Sequence, residues 1–194
     1  MKTKDFCIIS IILCLCLISC RSGPQGKKVS QADTFKERAS DNQTVQRLIQ
    51  DYAGMKEDDT VSWAWIDSAF RLDDYGAVSL QPVLNFSKIE YPHAQKQIEI
   101  SLTDALAARK KTAERGKSLV VTAAITGMQV KPGFIKRFSP SYEDRPSIEL
   151  EIIIAEAESK RIVAKICHMA RADDLPQALD KVLQDVTAFL NKKM

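Results

Sequence analysis

The chain has 194 residues, with 28 Lys and Arg against 25 Asp and Glu, a formal net charge of +3 and 45% hydrophobic residues. That length suits one domain with a real core plus a flexible end, and 27% charged residues is ordinary for a soluble globular protein. Charge this balanced argues against nucleic acid as a partner.

The first element is apolar. A basic start, Met1-Lys2-Thr3-Lys4, precedes a 14-residue run from Phe6 to Ser19. As a helix this run reaches only about 21 Å, short of the roughly 30 Å of a bilayer core. A charged start, a short apolar run and small residues at its end predict a secretory signal peptide. Its last residues, Leu17-Ile18-Ser19-Cys20, resemble the bacterial lipobox. The resemblance implies that Cys20 carries lipid and that the chain is cut just before it. Cutting there removes Lys2, Lys4 and Asp5, two basic residues and one acidic, and leaves a net charge of +2.

Lipoproteins of the kind this motif resembles carry three acyl chains. At about 0.8 kcal/mol per buried methylene, three chains make release from the membrane negligible. Residue 21 is Arg, whereas an Asp there marks inner-membrane retention in enteric-type bacteria, so the outer membrane is expected. Cys7, Cys14 and Cys16 leave with the leader, so Cys167 is the one thiol remaining and no internal disulfide is expected. It is expected to be a buried apolar residue.

From Arg21 to Ser40 the composition is polar and small, without apolar period, which predicts a tether with an r.m.s. reach of about 25 Å. The organisation expected is therefore residues 1–19 as leader, 20–40 as lipidated cysteine and tether, and 41–194 as a single periplasmic α+β domain.

Within that domain, Asp41 or Asn42 is expected to cap a short helix through Val45, Leu48, Ile49 and Tyr52, ended by Gly54. Val61 to Ile66 reads as a strand that puts Trp63 and Trp65 on one face. That pair is either a stacking platform for a sugar or peptide, or a cover over one end of the core. Asp67, Asp73 and Asp74 read as solvated loop charges, since no further ligand has metal-binding spacing. Ala77 to Tyr91 alternates with Val78, Leu80, Pro82, Leu84 and Phe86 on one side, and Pro82 predicts an edge position or a bulge. His93 follows in a loop.

Ala94 to Glu114 reads as a helix with an apolar stripe of Ile98, Leu102, Ala105 and Leu106. Its C-terminal end is basic: Arg109, Lys110, Lys111 and Arg115 suit the helix dipole or contact an anionic partner. Leu119 to Met128 is apolar on both faces and should be a central strand. The strand–helix–strand spacing fits a parallel crossover. The loop from Lys131 to Ser147 carries Phe134, Phe138 and Tyr142 among basic residues. With Trp63 and Trp65 these form the candidate partner or ligand surface, the alternative being a loop folded back onto the sheet.

Ile148, Leu150, Ile152 and Ile154 alternate with Glu149 and Glu151, which places the two carboxylates on one face, expected to be in water. Arg161 to Met169 completes an antiparallel hairpin, in which adjacent Cys167 and His168 face opposite ways. Asp173 or Asp174 caps a last helix with Pro176 in its first turn and Leu175, Leu179, Val182, Leu183, Val186 and Leu190 as its stripe. The fold expected is α+β, a two-layer sandwich of four to five mixed strands with helices on one face.

Several stretches resemble a bacterial lipoprotein family catalogued as domain of unknown function 3313. They are Leu48-Ile49-Gln50-Asp51-Tyr52 with Met55, then Tyr75-Gly76-Ala77-Val78 leading to Leu80-Gln81-Pro82-Val83. Leu119 to Gly127 and the hairpin from Glu149 to Ala164 match as well. The family usually has an Asp and a Gly in the hairpin turn, where this chain has Ala157-Glu158-Ser159-Lys160. The resemblance implies location and fold, and it brings no catalytic residues with it.

No Gly-x-Ser-x-Gly elbow, metal-ligand spacing or phosphate loop is present, so neither catalysis, a metal nor a cofactor is expected. Catalysis would need His93 or His168 beside an Asp in one pocket. The expected role is a non-enzymatic binding module, held to the membrane through Cys20, with an envelope protein as partner. The alternatives are an accessory lipoprotein of an envelope transport or secretion complex, an enzyme acting on cell wall or lipid, and a small-ligand carrier using the two tryptophans.

Overall fold

A computed structural model of the chain describes residues 46–107, 117–130 and 145–194. Strand β1 (Trp63–Ile66) leads through a single 3-10 turn to β2 (Tyr75–Leu80) and a two-residue β3 (Leu84–Asn85). Helix α1 (Pro92–Ala107), strands β4 (Lys117–Gln129), β5 (Ser147–Glu156) and β6 (Ile162–Arg171), and helix α2 (Leu175–Lys193) follow. The six strands form one mixed sheet in the order β1-β6-β5-β4-β2, with β3 also on β4. Both helices pack on one face, giving the two-layer α+β sandwich that the periodicity predicts.

Strand β4 is central, as its apolar faces require. It pairs parallel with β2, the strands that α1 connects, and antiparallel with β5. Strands β5 and β6 form the antiparallel hairpin. Its turn puts Lys160 at φ 59°, a conformation that glycine adopts without penalty. On the helix face Val121, Ala123 and Ile125 of β4, Leu150, Ile152 and Ile154 of β5, and Ala164 and Ile166 of β6 meet Ile98 and Leu102 of α1. Leu179, Val182, Val186, Phe189 and Leu190 of α2 complete this core, each side chain contributing about 2 kcal/mol by leaving water.

Two expectations fail at the start of the domain. Residues 46–56 are a strap across the other face of the sheet, not a helix. The Leu48 and Ile49 amides, which a helix would direct to its own carbonyls, donate instead to a side chain of β5. Met55 N–H closes a turn on the Tyr52 carbonyl, helped by Gly54 at φ 80°, and Lys56 bridges to Ala64 of β1. The strap thus runs from β5 over β6 to β1. Second, the alternation across Pro82 breaks: Val83 is buried, while Leu84 is 40% exposed. The proline supplies no N–H to the ladder, so the chain steps by one residue between β2 and β3.

His93 lies exposed in the first turn of α1 and not in a loop. The helix cap at Asp41 or Asn42, the basic residues 109–115, and Phe134, Phe138 and Tyr142 lie outside the described residues, as does Cys20.

Candidate functional site

Glu149 and Glu151 are not in water. They sit on the strap face of β5, 5% and 0% exposed. Strict alternation does give them one face, but the strap covers that face, and a single strand carries no sign of what crosses it.

Arg47 lies between the two carboxylates. Its Nη1 donates to Glu149 Oε1 at 2.6 Å and to Glu151 Oε1 at 2.9 Å. The Tyr52 hydroxyl also donates to Glu151 Oε1. Glu151 Oε2 accepts the amides of Leu48 at 2.8 Å and Ile49 at 2.9 Å. Room for Glu149 comes from Gly127 across the β4–β5 pair, where a Cβ would stand 2.8 Å from Glu149 Oε2. Only glycine lets that carboxylate lie flat against the sheet.

Burial opposes the charge on Arg47, but Glu149, Tyr52 and Glu151 outweigh it, so the guanidinium holds its proton more firmly than usual. Burial first, then Cys167 and Glu151, push the Tyr52 phenol well above its ordinary value, which keeps the proton on the phenol oxygen, donated to Glu151. Cys167, fully buried and 3.8 Å from Glu149 Oε1, is pushed up by burial and then by the two glutamates. It is the inert buried thiol expected from its run.

Glu149, Glu151 and Cys167 offer ligand atoms within 4.8 Å of one another. An ion there would have to displace Arg47 and bind a protonated thiol, so this donor set suits a clamp better than a metal. It fixes the strap to the sheet.

A second polar line lies on the helix face. His168 Nδ1 accepts the Ser62 amide at 3.1 Å, with Ser62 Oγ at 3.2 Å, and Nε2 faces Asp185 of α2 at 2.9 Å. The main-chain N–H can only donate, so Nδ1 carries no proton and Nε2–H points at Asp185. Ser62 Oγ accepts from the Met169 amide at 3.3 Å. His168 therefore has the acid partner that a catalytic role needs. However, its one lone pair is engaged by an amide and is not free for the Ser62 proton, so the line braces β1 against β6 and α2.

Trp63 and Trp65 do share a face, opposite Cys167 and Lys165. It is the strap face. Lys165 Nζ lies 5.8 Å over the Trp65 ring and donates to the Asp51 carbonyl of the strap, while Gly54 approaches the Trp65 edge. Both tryptophans are half-buried, and the Trp63 indole N–H has no partner among the described residues. Asp67 is half-buried and holds Arg161, in place of the solvated charge expected; Asp73 and Asp74 are exposed in the 3-10 turn.

Arg47, Tyr52 and Gly127 are what the sequence reading missed. One signal was available: two acids set among the Ile and Leu of residues 148–154, with a glycine in the neighbouring strand.

No family model matches the chain, and no curated protein matches it. Among solved structures it is similar to the PelC dodecamer of Paraburkholderia phytofirmans, at 14% identity and TM-score 0.46, over 66% of this chain and 93% of that one. It is similar to a Xanthomonas campestris protein of the family DUF330, at 10% identity and TM-score 0.37, over 66% and 85%. A candidate lipoprotein of Caulobacter crescentus CB15 gives 12% identity and TM-score 0.32, over 63% and 94%.

Proposed function

We propose that the protein is a lipoprotein of the bacterial envelope, anchored through Cys20 on the periplasmic face of the outer membrane, and that its domain binds an envelope protein without catalysing a reaction. The observation that carries this is the run from Phe6 to Cys20, too short to span a bilayer and ending in a lipobox-like Leu-Ile-Ser-Cys. The carboxylate clamp and the His168 line support the binding role, since each is consumed in holding the fold. A groove of about 420 Å³ between Leu80, Gln81 and Pro82 and α1, with Ile100 50% exposed on its wall, is a surface for such a partner.

Mass spectrometry of the protein from native membranes should find it cut before Cys20 with acyl chains on that residue. Cys20→Ser should remove the lipid mass and the recovery with outer membranes. An unmodified Cys20, or an uncut leader, overturns the anchor; in-cell crosslinking that recovers no envelope protein overturns the binding role.

A further inference from the structure

Ser62 stands where the chain enters β1, one residue before the Trp63–Cys167 pair, and so opposite His168. It offers the imidazole two groups of opposite character. The main-chain N–H, 3.1 Å from Nδ1, can only donate. The hydroxyl, 3.2 Å from the same nitrogen, can also accept. It already takes the Met169 amide at 3.3 Å, which closes the β1–β6 ladder at this end and leaves a second lone pair on the oxygen. On the far side of the ring Asp185 of α2 faces Nε2 at 2.9 Å, and Lys181 of the same helix is the other charge that bears on it. The neighbours from the sheet are uncharged: Leu150 opposite on β5, and Ile166 and Ala170 on the same face of β6. The ring is buried, while Ser62 is half-buried.

We propose that Ser62 and His168 form a proton-driven switch at the entry to β1. With the ring neutral, the Ser62 amide donates to Nδ1. A proton taken up from water at Nδ1 turns that nitrogen into a donor, which the hydroxyl accepts and the amide cannot. The bond then passes from Ser62 N–H to Ser62 Oγ, and the amide loses its acceptor. Nε2–H stays on Asp185, now within an ion pair, so α2 keeps the ring while the start of β1 loosens. This is the corner where the strap joins the sheet. Lys56 pairs with Ala64, two residues beyond Ser62. The loop between carries Asp58 and Asp59, tied to Lys193 and Lys192 at the end of α2. Mild acid therefore acts on the corner through Ser62. The switch is independent of the lipid anchor and of any partner.

The test is an NMR titration of the full chain, purified from membranes in detergent and isotopically labelled at histidine and serine, over about pH 7.5 to 5. His168→Gln separates the His168 signals from those of His93. The Ser62 amide signal should move with the same midpoint as His168, and its exchange protection should drop by roughly tenfold or more. Ser62→Ala keeps the amide and deletes the hydroxyl, so the imidazolium has no acceptor at Nδ1. Its His168 midpoint should fall by about one pH unit, the change in proton affinity that a hydrogen bond to a charged group makes. Ser62→Thr, which restores a hydroxyl, should bring it back. A Ser62 amide that ignores the His168 titration overturns the proposal. So does a midpoint unmoved in Ser62→Ala, or a His168 that stays neutral until the chain unfolds. If Ser62→Ala does not fold, the wild-type amide decides.

Discussion

Glu151 has no exposed surface, and four donors meet its two oxygens: Arg47, Tyr52 and the amides of Leu48 and Ile49. Removing the acceptor leaves the Leu48 and Ile49 amides without it beneath the strap, takes one of the two carboxylates from Arg47 and removes the acceptor of the Tyr52 hydroxyl. Glu151→Ala should therefore cost about 3–5 kcal/mol, the range for breaking one partner out of a buried pair. Urea unfolding measures this, and trypsin should then cut at Lys56, where the strap ends. A loss below about 1 kcal/mol, the size of an exposed ion pair, contradicts the clamp.

His168 gives a pH dependence whose sign is fixed by geometry. Burial, aided by Lys181, lowers its pKa against the opposing pull of Asp185, and a proton on Nδ1 would face the Ser62 amide donor to donor. The unfolded chain takes a proton near pH 6.5 that the folded chain refuses until lower pH. Stability should thus be level above about pH 7 and fall as pH drops through 6.5. His168→Gln, whose amide can accept from Ser62 and donate to Asp185, should flatten the slope between about pH 7 and 5.5. If wild type and variant show the same slope, His168 is not its source.

At the scale of elements, α2 was legible almost residue by residue. Leu179, Val182, Leu183, Val186 and Leu190 are buried as the stripe requires, because helical spacing alone puts them on one side. Asp174 accepts the Gln177 amide at 2.8 Å with Pro176 in the first turn. Asp174→Ala should cost about 1 kcal/mol, read as a melting temperature lower by roughly 2–4 °C; an unchanged melt would mean the cap is redundant. Strand β4 and the hairpin were legible for the same reason, local periodicity. The strap and the β2–β3 step were not. Leu48, Ile49 and Tyr52 have helical spacing, but the strap's amides found a better acceptor in Glu151, about a hundred residues on. Nothing within ten residues of Ile49 announces that carboxylate.

For the whole molecule, the sheet is covered on one face by α1 and α2 and on the other by the strap, which starts the described domain and ties β5, β6 and β1 together. The candidate site divides along the same line. That Glu149 and Glu151 share a face, that Trp63 and Trp65 share a face, and that Cys167 and His168 oppose each other all follow from the two-residue period of a strand. Which face is wet does not follow, because it depends on a segment distant in sequence. Sequence by itself determined helices α1 and α2, the central place of β4 and the β5–β6 hairpin, each set by neighbours a few residues apart. Tertiary structure alone decided that the two carboxylates are buried, that Arg47 lies between them and that His168 meets Asp185, because burial belongs to the surface that closes over a residue and not to the residue.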